Sequence, residues 1–302
     1  MSTSNRFRGR GTLFILFTIA PALAIITIFT LYPIGFALAS SFSYYDFTNP
    51  SKTGFAGASN YVNAVETPGF EQSVTATAIF VVASFFLVVG IALGSALLLN
   101  EKFKGVKYLQ VIALLPWAIP YVVAGLMWRW IYDSNYGLLN YIFQSLGLIQ
   151  AYQPWLTRPT SAMVLLIISY AWSEFPISTL LVLAGLQSVP KELYEAAVVD
   201  GAGALARFRK VTWVWLKPIF LIVFVFETLR AITVFDIVFV ITKGGPAEAT
   251  SIVSYYIYRY LFTYFDVGRA SALSIIVLVV SGIFIYAYFT FLRIGSLELR
   301  GK

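Results

Sequence analysis

The chain has 302 residues, 59% of them hydrophobic and only 12% charged, with a formal net charge of +7 at pH 7. So little charge cannot cover the surface of a soluble domain of this size, which leaves an all-α integral membrane protein as the fold class. The absence of cysteine and histidine excludes disulfides, thiol nucleophiles, imidazole bases and the usual zinc ligands.

A short tail, 1–11, precedes a membrane domain, 12–292, and a second tail, 293–302, follows it. Six spans are predicted in chain order: 12–38, 74–99, 108–131, 161–184, 217–241 and 270–292. Each is long enough, at about 1.5 Å rise per residue, for a hydrocarbon core that needs roughly 20 residues. Ala22-Leu23-Ala24 in the first resembles a signal-peptide cleavage site, but the apolar sequence continues well past it, as in an uncleaved anchor. Pro116 and Pro120 can bend the third span. Pro176 can kink or unwind the fourth, either as a packing kink or because the helix lines a cavity. Trp117, Trp128, Trp130, Trp213 and Trp215 read as interfacial belts, and Tyr255, Tyr256, Tyr258 and Tyr260 as an amphipathic segment before the last span.

Lys and Arg fix the expected orientation. The N-terminus (Arg6, Arg8, Arg10), the second connection (Lys102, Lys104, Lys107), the fourth connection and the tail (Arg293, Arg300, Lys302) fall on one side. The other side is basic-poor for its length, with Lys52, Arg158, Lys243, Arg259 and Arg269. The positive-inside rule therefore places both termini in the cytoplasm of a multi-pass cell-membrane protein. The basic residues are dispersed over loops, so no nucleic-acid partner is expected.

Charge also occurs inside the spans, with Glu174 mid-way along the fourth, Glu227 and Arg230 mid-way along the fifth, and Asp236 nearer its outer end. Each costs about 2.5–3.5 kcal/mol at mid-bilayer and normally faces a cavity or a partner. Glu227 and Arg230 are three residues apart and able to pair. Two readings stay open: a Glu227–Arg230 pair, joined by Glu174, that pins the two spans together, or a site for a hydroxyl-rich ligand.

The fourth connection, 187–216, is charged and punctuated by glycine between apolar runs. Pro190 suits a helix start and Lys191–Val199 are good helix formers. Gly201 and Gly203 then permit the left-handed backbone that ends a helix, and a second piece covers 204–210. A short helix with small residues, held outside the membrane, has the shape of something a partner grips; an ordinary solvated connector is the plain alternative. No Gly-x-x-x-x-Gly-Lys-Ser/Thr loop occurs, so ATP, if used, is hydrolysed by another subunit.

Glu195-Ala196-Ala197, Asp200-Gly201-Ala202, Phe208, Val211 and Leu216-Lys217-Pro218 resemble the EAA loop of permease subunits of binding-protein-dependent ABC importers, in particular sugar permeases related to the larger maltose permease subunit. The usual Leu-Pro of that loop is replaced here by Trp213-Val214. Leu115-Pro116-Trp117, Tyr136-Gly137-Leu138-Leu139-Asn140, Leu186-Gln187-Ser188-Val189-Pro190 and Lys243-Gly244-Gly245-Pro246 follow the family's order along nearly the whole chain. The resemblance implies the type I permease fold in a minimal six-span form. It also implies a heterodimer with a second permease, two cytoplasmic ATPase subunits carrying ATP and Mg, an external sugar-binding protein, and no cofactor or catalytic role for this chain. It assigns ATPase coupling to Glu192, Leu193, Glu195, Ala196, Ala197, Asp200, Gly201, Ala202 and Gly203. It places a substrate path at Ser173, Glu174 and Ile177, and at Phe226, Leu229, Arg230 and Thr233, beside Glu227. A proton-coupled carrier using Glu174, Glu227 or Asp236, and an intramembrane glycosyl-transferring enzyme, are the rival classes. The first lacks visible internal repeats, and the second lacks paired carboxylates at the water boundary.

Overall fold

The computed structural model describes residues 17–45 and 53–297, with side chains described as far as 290. The tail 1–11 and the orientation-setting Arg6, Arg8, Arg10, Lys52, Arg300 and Lys302, with the side chain of Arg293, lie outside the described residues.

The elements in chain order begin with α1 (Phe17–Ser41), which contains a π turn at Thr27–Leu31. A two-residue antiparallel pair follows, β1 (Ser43–Tyr44) with β2 (Gly54–Phe55), and then α2 (Ser59–Glu66) and α3 (Phe70–Asn100). Next come α4 (Val106–Ala118), α5 (Tyr121–Ile131), α6 (Leu138–Ser145), α7 (Pro159–Gln187) and α8 (Lys191–Val199). The chain ends through α9 (Trp213–Thr233), α10 (Asp236–Ile241), α11 (Val253–Phe262) and α12 (Val267–Leu297). Among the described residues five helices are long and apolar enough to cross a membrane, or six if α4 and α5 form one broken span.

Two compact units divide the chain. One holds the residues up to Glu66 with Ile257–Ile276, the other Thr67–Tyr256 with the residues from Val277 onward. In the first, Asn60 is buried and donates to the carbonyls of Ser41 (3.0 Å) and Ser43 (2.9 Å). Gly268 lies so close that a Cβ there would meet Ser43 O at 2.6 Å.

In the second unit α3, α7 and α9 share a core. The buried positions of α3 recur as Ala76, Phe80, Ser84, Val88, Ala92 and Ala96, a stripe of mostly small residues at helical spacing that lets α7 approach closely. Ala96 and Leu99 of α3, Val182, Leu183 and Leu186 of α7, and Leu216, Phe220 and Val223 of α9 close one end of it. Gly185 is the point of closest approach there: a Cβ would lie 2.8 Å from both Leu216 Cδ2 and Ile219 Cγ1. Gly185→Val is expected to destabilise the protein by about 1–3 kcal/mol through overpacking. Thermal unfolding in detergent measures this, and an unchanged Tm contradicts the packing.

The third predicted span is not continuous. Pro116 opens a 3₁₀ turn at Leu115–Ala118, and Ile119, which precedes Pro120, is forced into extended backbone (φ −87°, ψ 125°). The chain turns by 97° there, so α4 and α5 are separate rods. The fourth span, α7, runs through Pro176 as one uninterrupted helix, so that proline does not unwind it. The piece at 204–210 is not a separate helix either: Ala204–Arg207 passes through a π turn, Phe208–Thr212, directly into α9. The fifth span then breaks at Val234, which is extended, before α10. The tyrosines before the last span do form a helix, α11, but Tyr255, Tyr256 and Tyr260 are buried in it.

Candidate functional site

Positions 170, 174 and 178 of α7 lie a turn apart on one face, and that face meets α9. Arg230 Nε donates to Glu174 Oε1 at 2.9 Å, and Ser178 donates to Glu227 Oε1. Moving toward the C-terminus of α7 means moving toward the N-terminus of α9, so the two polar contacts are successive rungs between antiparallel helices. The Glu227–Arg230 pair expected from helical spacing does not form. Glu227 is buried against Ser178, and Arg230 finds its carboxylate across the seam.

Glu174 is fully buried, whereas the Arg230 side chain is 42% exposed. Its guanidinium lies 5.1 Å from the Tyr121 ring centroid and 5.9 Å from that of Phe226, and its Nη2 donates to Tyr121 Oη at 2.7 Å. Tyr121 opens α5 immediately after the break at Pro120. Nothing in the local sequence around Tyr121 singled it out, since its partner is 109 residues away. Tyr170 Oη, Glu174 Oε2 and Glu227 Oε2 are buried and make no hydrogen bond within the described residues. Such atoms are costly in a low-dielectric interior and concentrate where polar ligands or hydration are handled.

The remaining predicted path residues divide by exposure. Phe226, Leu229, Arg230 and Thr233 recur at the spacing of one α9 face, and all are at least partly accessible, as is Ile177 on α7. Ser173 is buried and its hydroxyl donates to Ser169 O of its own helix, so it does not open onto that face.

The connection between α7 and α9 carries a free helix. None of the nine residues of α8 is buried, and Leu193, Val198 and Val199 are exposed apolar groups, Val199 at 86%. Glu192 sits in the first turn, where the helix dipole favours an acid. The end of α8 is a Schellman turn: Gly201 N donates to Val198 O (3.0 Å) and Ala202 N to Ala197 O (2.9 Å), with Gly201 left-handed at φ +72°. Gly203, expected to be left-handed too, is extended (φ −67°, ψ 171°) because it serves as the N-cap of the next helix. Tyr194 Oη shares a hydrogen bond with Thr212 Oγ1 (2.9 Å), and Trp215 Nε1 donates to Ser188 Oγ (3.1 Å). Tyr194, midway along α8, thus ties the helix to the turn that leads into α9, and the Trp215–Ser188 bond joins the end of α7 to α9, while Glu192, Glu195, Ala196, Asp200 and Gly201 are exposed and Ala197 and Ala202 half-buried. Val198, Val199 and the 72% exposed Leu205 extend this surface beyond the residues that the sequence marked.

Helices of membrane length that pack around a buried polar cluster, with an exposed helix on one connection, are what a permease subunit requires. Residues 87–293 match the family model described as binding-protein-dependent transport system inner membrane component. The chain belongs to this family, whose members are non-catalytic membrane subunits of ABC importers. It is 37% identical over 270 residues to the trehalose/maltose transport system permease protein MalF of Thermococcus litoralis, covering 89% of this chain and 90% of that one. It is 31% identical over 263 residues to the sulfoquinovosyl glycerol transport system permease protein SmoG of Agrobacterium fabrum, covering 87% and 85%. Its fold is similar to a chain of a bacterial ABC transporter involved in the import of the acidic polysaccharide alginate, with a TM-score of 0.81, 22% identity, and 96% and 99% of the two chains covered.

Proposed function

We propose that this permease imports a sugar, forming half of a translocation path with a second permease subunit. The observation that carries the reading is the cluster of Glu174, Arg230 and Tyr121 at mid-span, where a partly exposed Arg230 side chain lies 5.1 and 5.9 Å from two aromatic ring centroids and beside a fully buried carboxylate. Sugars combine dense hydroxyls with flat apolar faces, and such a cluster offers donors, acceptors and rings together. The names of the two relatives, one for trehalose and maltose and one for sulfoquinovosyl glycerol, support the same class.

In this reading α8 docks in a groove of a cytoplasmic ATPase, which binds the ATP and Mg, and an external binding protein delivers the sugar. Both termini and α8 face the cytoplasm, in keeping with the Lys and Arg distribution. ATP-driven closure of two ATPases would move α8 as a rigid handle. Its tie through Tyr194 and Thr212, together with the bond of Trp215 to Ser188 between the ends of α9 and α7, passes that motion into the two rods and exposes the mid-span cluster first outward, then inward.

The test is sugar uptake into proteoliposomes that hold the whole complex, with the binding protein outside and ATP inside. Uptake that requires both supports the proposal. Uptake driven by a proton gradient without ATP contradicts it.

A further inference from the structure

We infer that Tyr121, delivered by the break in the third span, reads sugar hydroxyls together with Arg230, and that the sugar it fits is uncharged. The inference rests on the sugar-path reading above and adds to it a third wall, α5, and a substrate class. Arg230 Nε is used by Glu174 and Nη2 by Tyr121 Oη, while Nη1 makes no hydrogen bond within the described residues, and the side chain remains 42% exposed. Tyr121 Oη accepts from Nη2, so its own proton is left to donate. Two donors thus sit side by side at a half-exposed point: the Nη1 edge of a guanidinium held at fixed orientation by Glu174, and the phenol hydroxyl. Neighbouring hydroxyls of a pyranose match that pair, and the Tyr121 and Phe226 rings flanking the guanidinium supply apolar surface for the ring face.

Charge decides the class. The single guanidinium is already matched by Glu174 at 2.9 Å, and Glu227 adds a second carboxylate on the same seam. An anionic sugar would find the guanidinium of the cluster already paired, with two buried carboxylates close behind it. A neutral one needs only the hydrogen bonds. A structural clamp, in which Tyr121 merely braces Arg230, predicts a different kinetic signature, because losing a brace impairs turnover and stability and leaves discrimination between sugars untouched.

The experiment measures uptake by the reconstituted full complex with trehalose, maltose and a uronic-acid disaccharide, for the wild type, Tyr121→Phe and Tyr121→Leu. Tyr121→Phe keeps the ring and removes the hydroxyl, so it is expected to raise KM for the neutral sugars by about three- to tenfold at a near-unchanged maximal rate. Tyr121→Leu is expected to change the trehalose-to-maltose preference as well. Wild-type KM and preference in Tyr121→Phe, or a lowered maximal rate at unchanged KM, overturns the hydroxyl-reading role while leaving the permease reading intact. Wild-type transport that favours the uronic-acid sugar overturns the uncharged class. Wild-type complex that moves none of the three overturns the sugar reading and this inference with it. If Tyr121→Leu fails to fold, Tyr121→Phe decides alone.

Discussion

Gly201→Val is expected to abolish ATPase association while leaving the permease inserted in the membrane. Gly201 is left-handed at φ +72°, and a Cβ there would meet nothing within 4 Å, so the cost of a side chain is purely one of backbone conformation. For an L-residue that cost is about 1–2 kcal/mol, and it is larger for a β-branched one. The Schellman bonds from Gly201 and Ala202 to Val198 and Ala197 would be given up, and with them the last turn of α8 and the presentation of Ala196 and Ala197. A series separates backbone from bulk. Asn tolerates the left-handed region and should retain most association, Ala less, and Val least. Gly203→Ala should be silent, since Gly203 is extended. Co-purification of the ATPase with each variant measures the effect, and equal losses at 201 and 203 would contradict the assignment.

At the mid-span cluster, losing the cation is expected to cost more stability than losing the carboxylate. Arg230→Gln leaves Glu174, fully buried, without its cation and should cost about 3 kcal/mol, at the lower end for a broken buried pair. Glu174→Gln leaves Arg230, whose half-exposed head can be solvated, and should cost only about 1 kcal/mol. The double variant removes both charges, so most of the stability should return, giving a coupling energy of roughly 2–3 kcal/mol in a double-mutant cycle. Transport should not return with it, because the guanidinium is gone. Thermal unfolding of the four proteins beside their uptake rates tests this. A double variant as unstable as the sum of the singles would mean that the two residues do not act as a pair, and a double variant that transports normally would remove the cluster from the path.

The contrast between these two sites shows what the sequence could carry. Helix α8 was legible to its boundaries because its ends are written in local chemistry, Pro190 before it and Gly201 after it. Gly203 does not take the left-handed backbone open to it, because glycine permits that conformation without requiring it. The spans followed from hydropathy, but hydropathy is blind to the break at Ile119-Pro120, across which the apolar run of 108–131 continues. Pro116 and Pro120 marked a bend without its size. The resemblance named Phe226, Leu229, Arg230 and Thr233, which recur on one face of α9. Helical spacing failed for the ion pair, since a rule for neighbours on one helix cannot weigh a carboxylate on the antiparallel neighbour 56 residues earlier. Tyr121 needed the tertiary fold outright.

We propose α8 as the cytoplasmic handle by which an ATPase moves α7 and α9. Because the chain contains no cysteine, Ala196→Cys places its only thiol on the exposed face of α8. A maleimide photo-crosslinker attached there in native membranes is predicted to capture the ATPase, with a yield that changes on ATP binding. An impermeant maleimide is predicted to label the thiol only in inside-out vesicles. Labelling from the outer face, or capture of no ATPase from membranes in which the variant still transports, would contradict it.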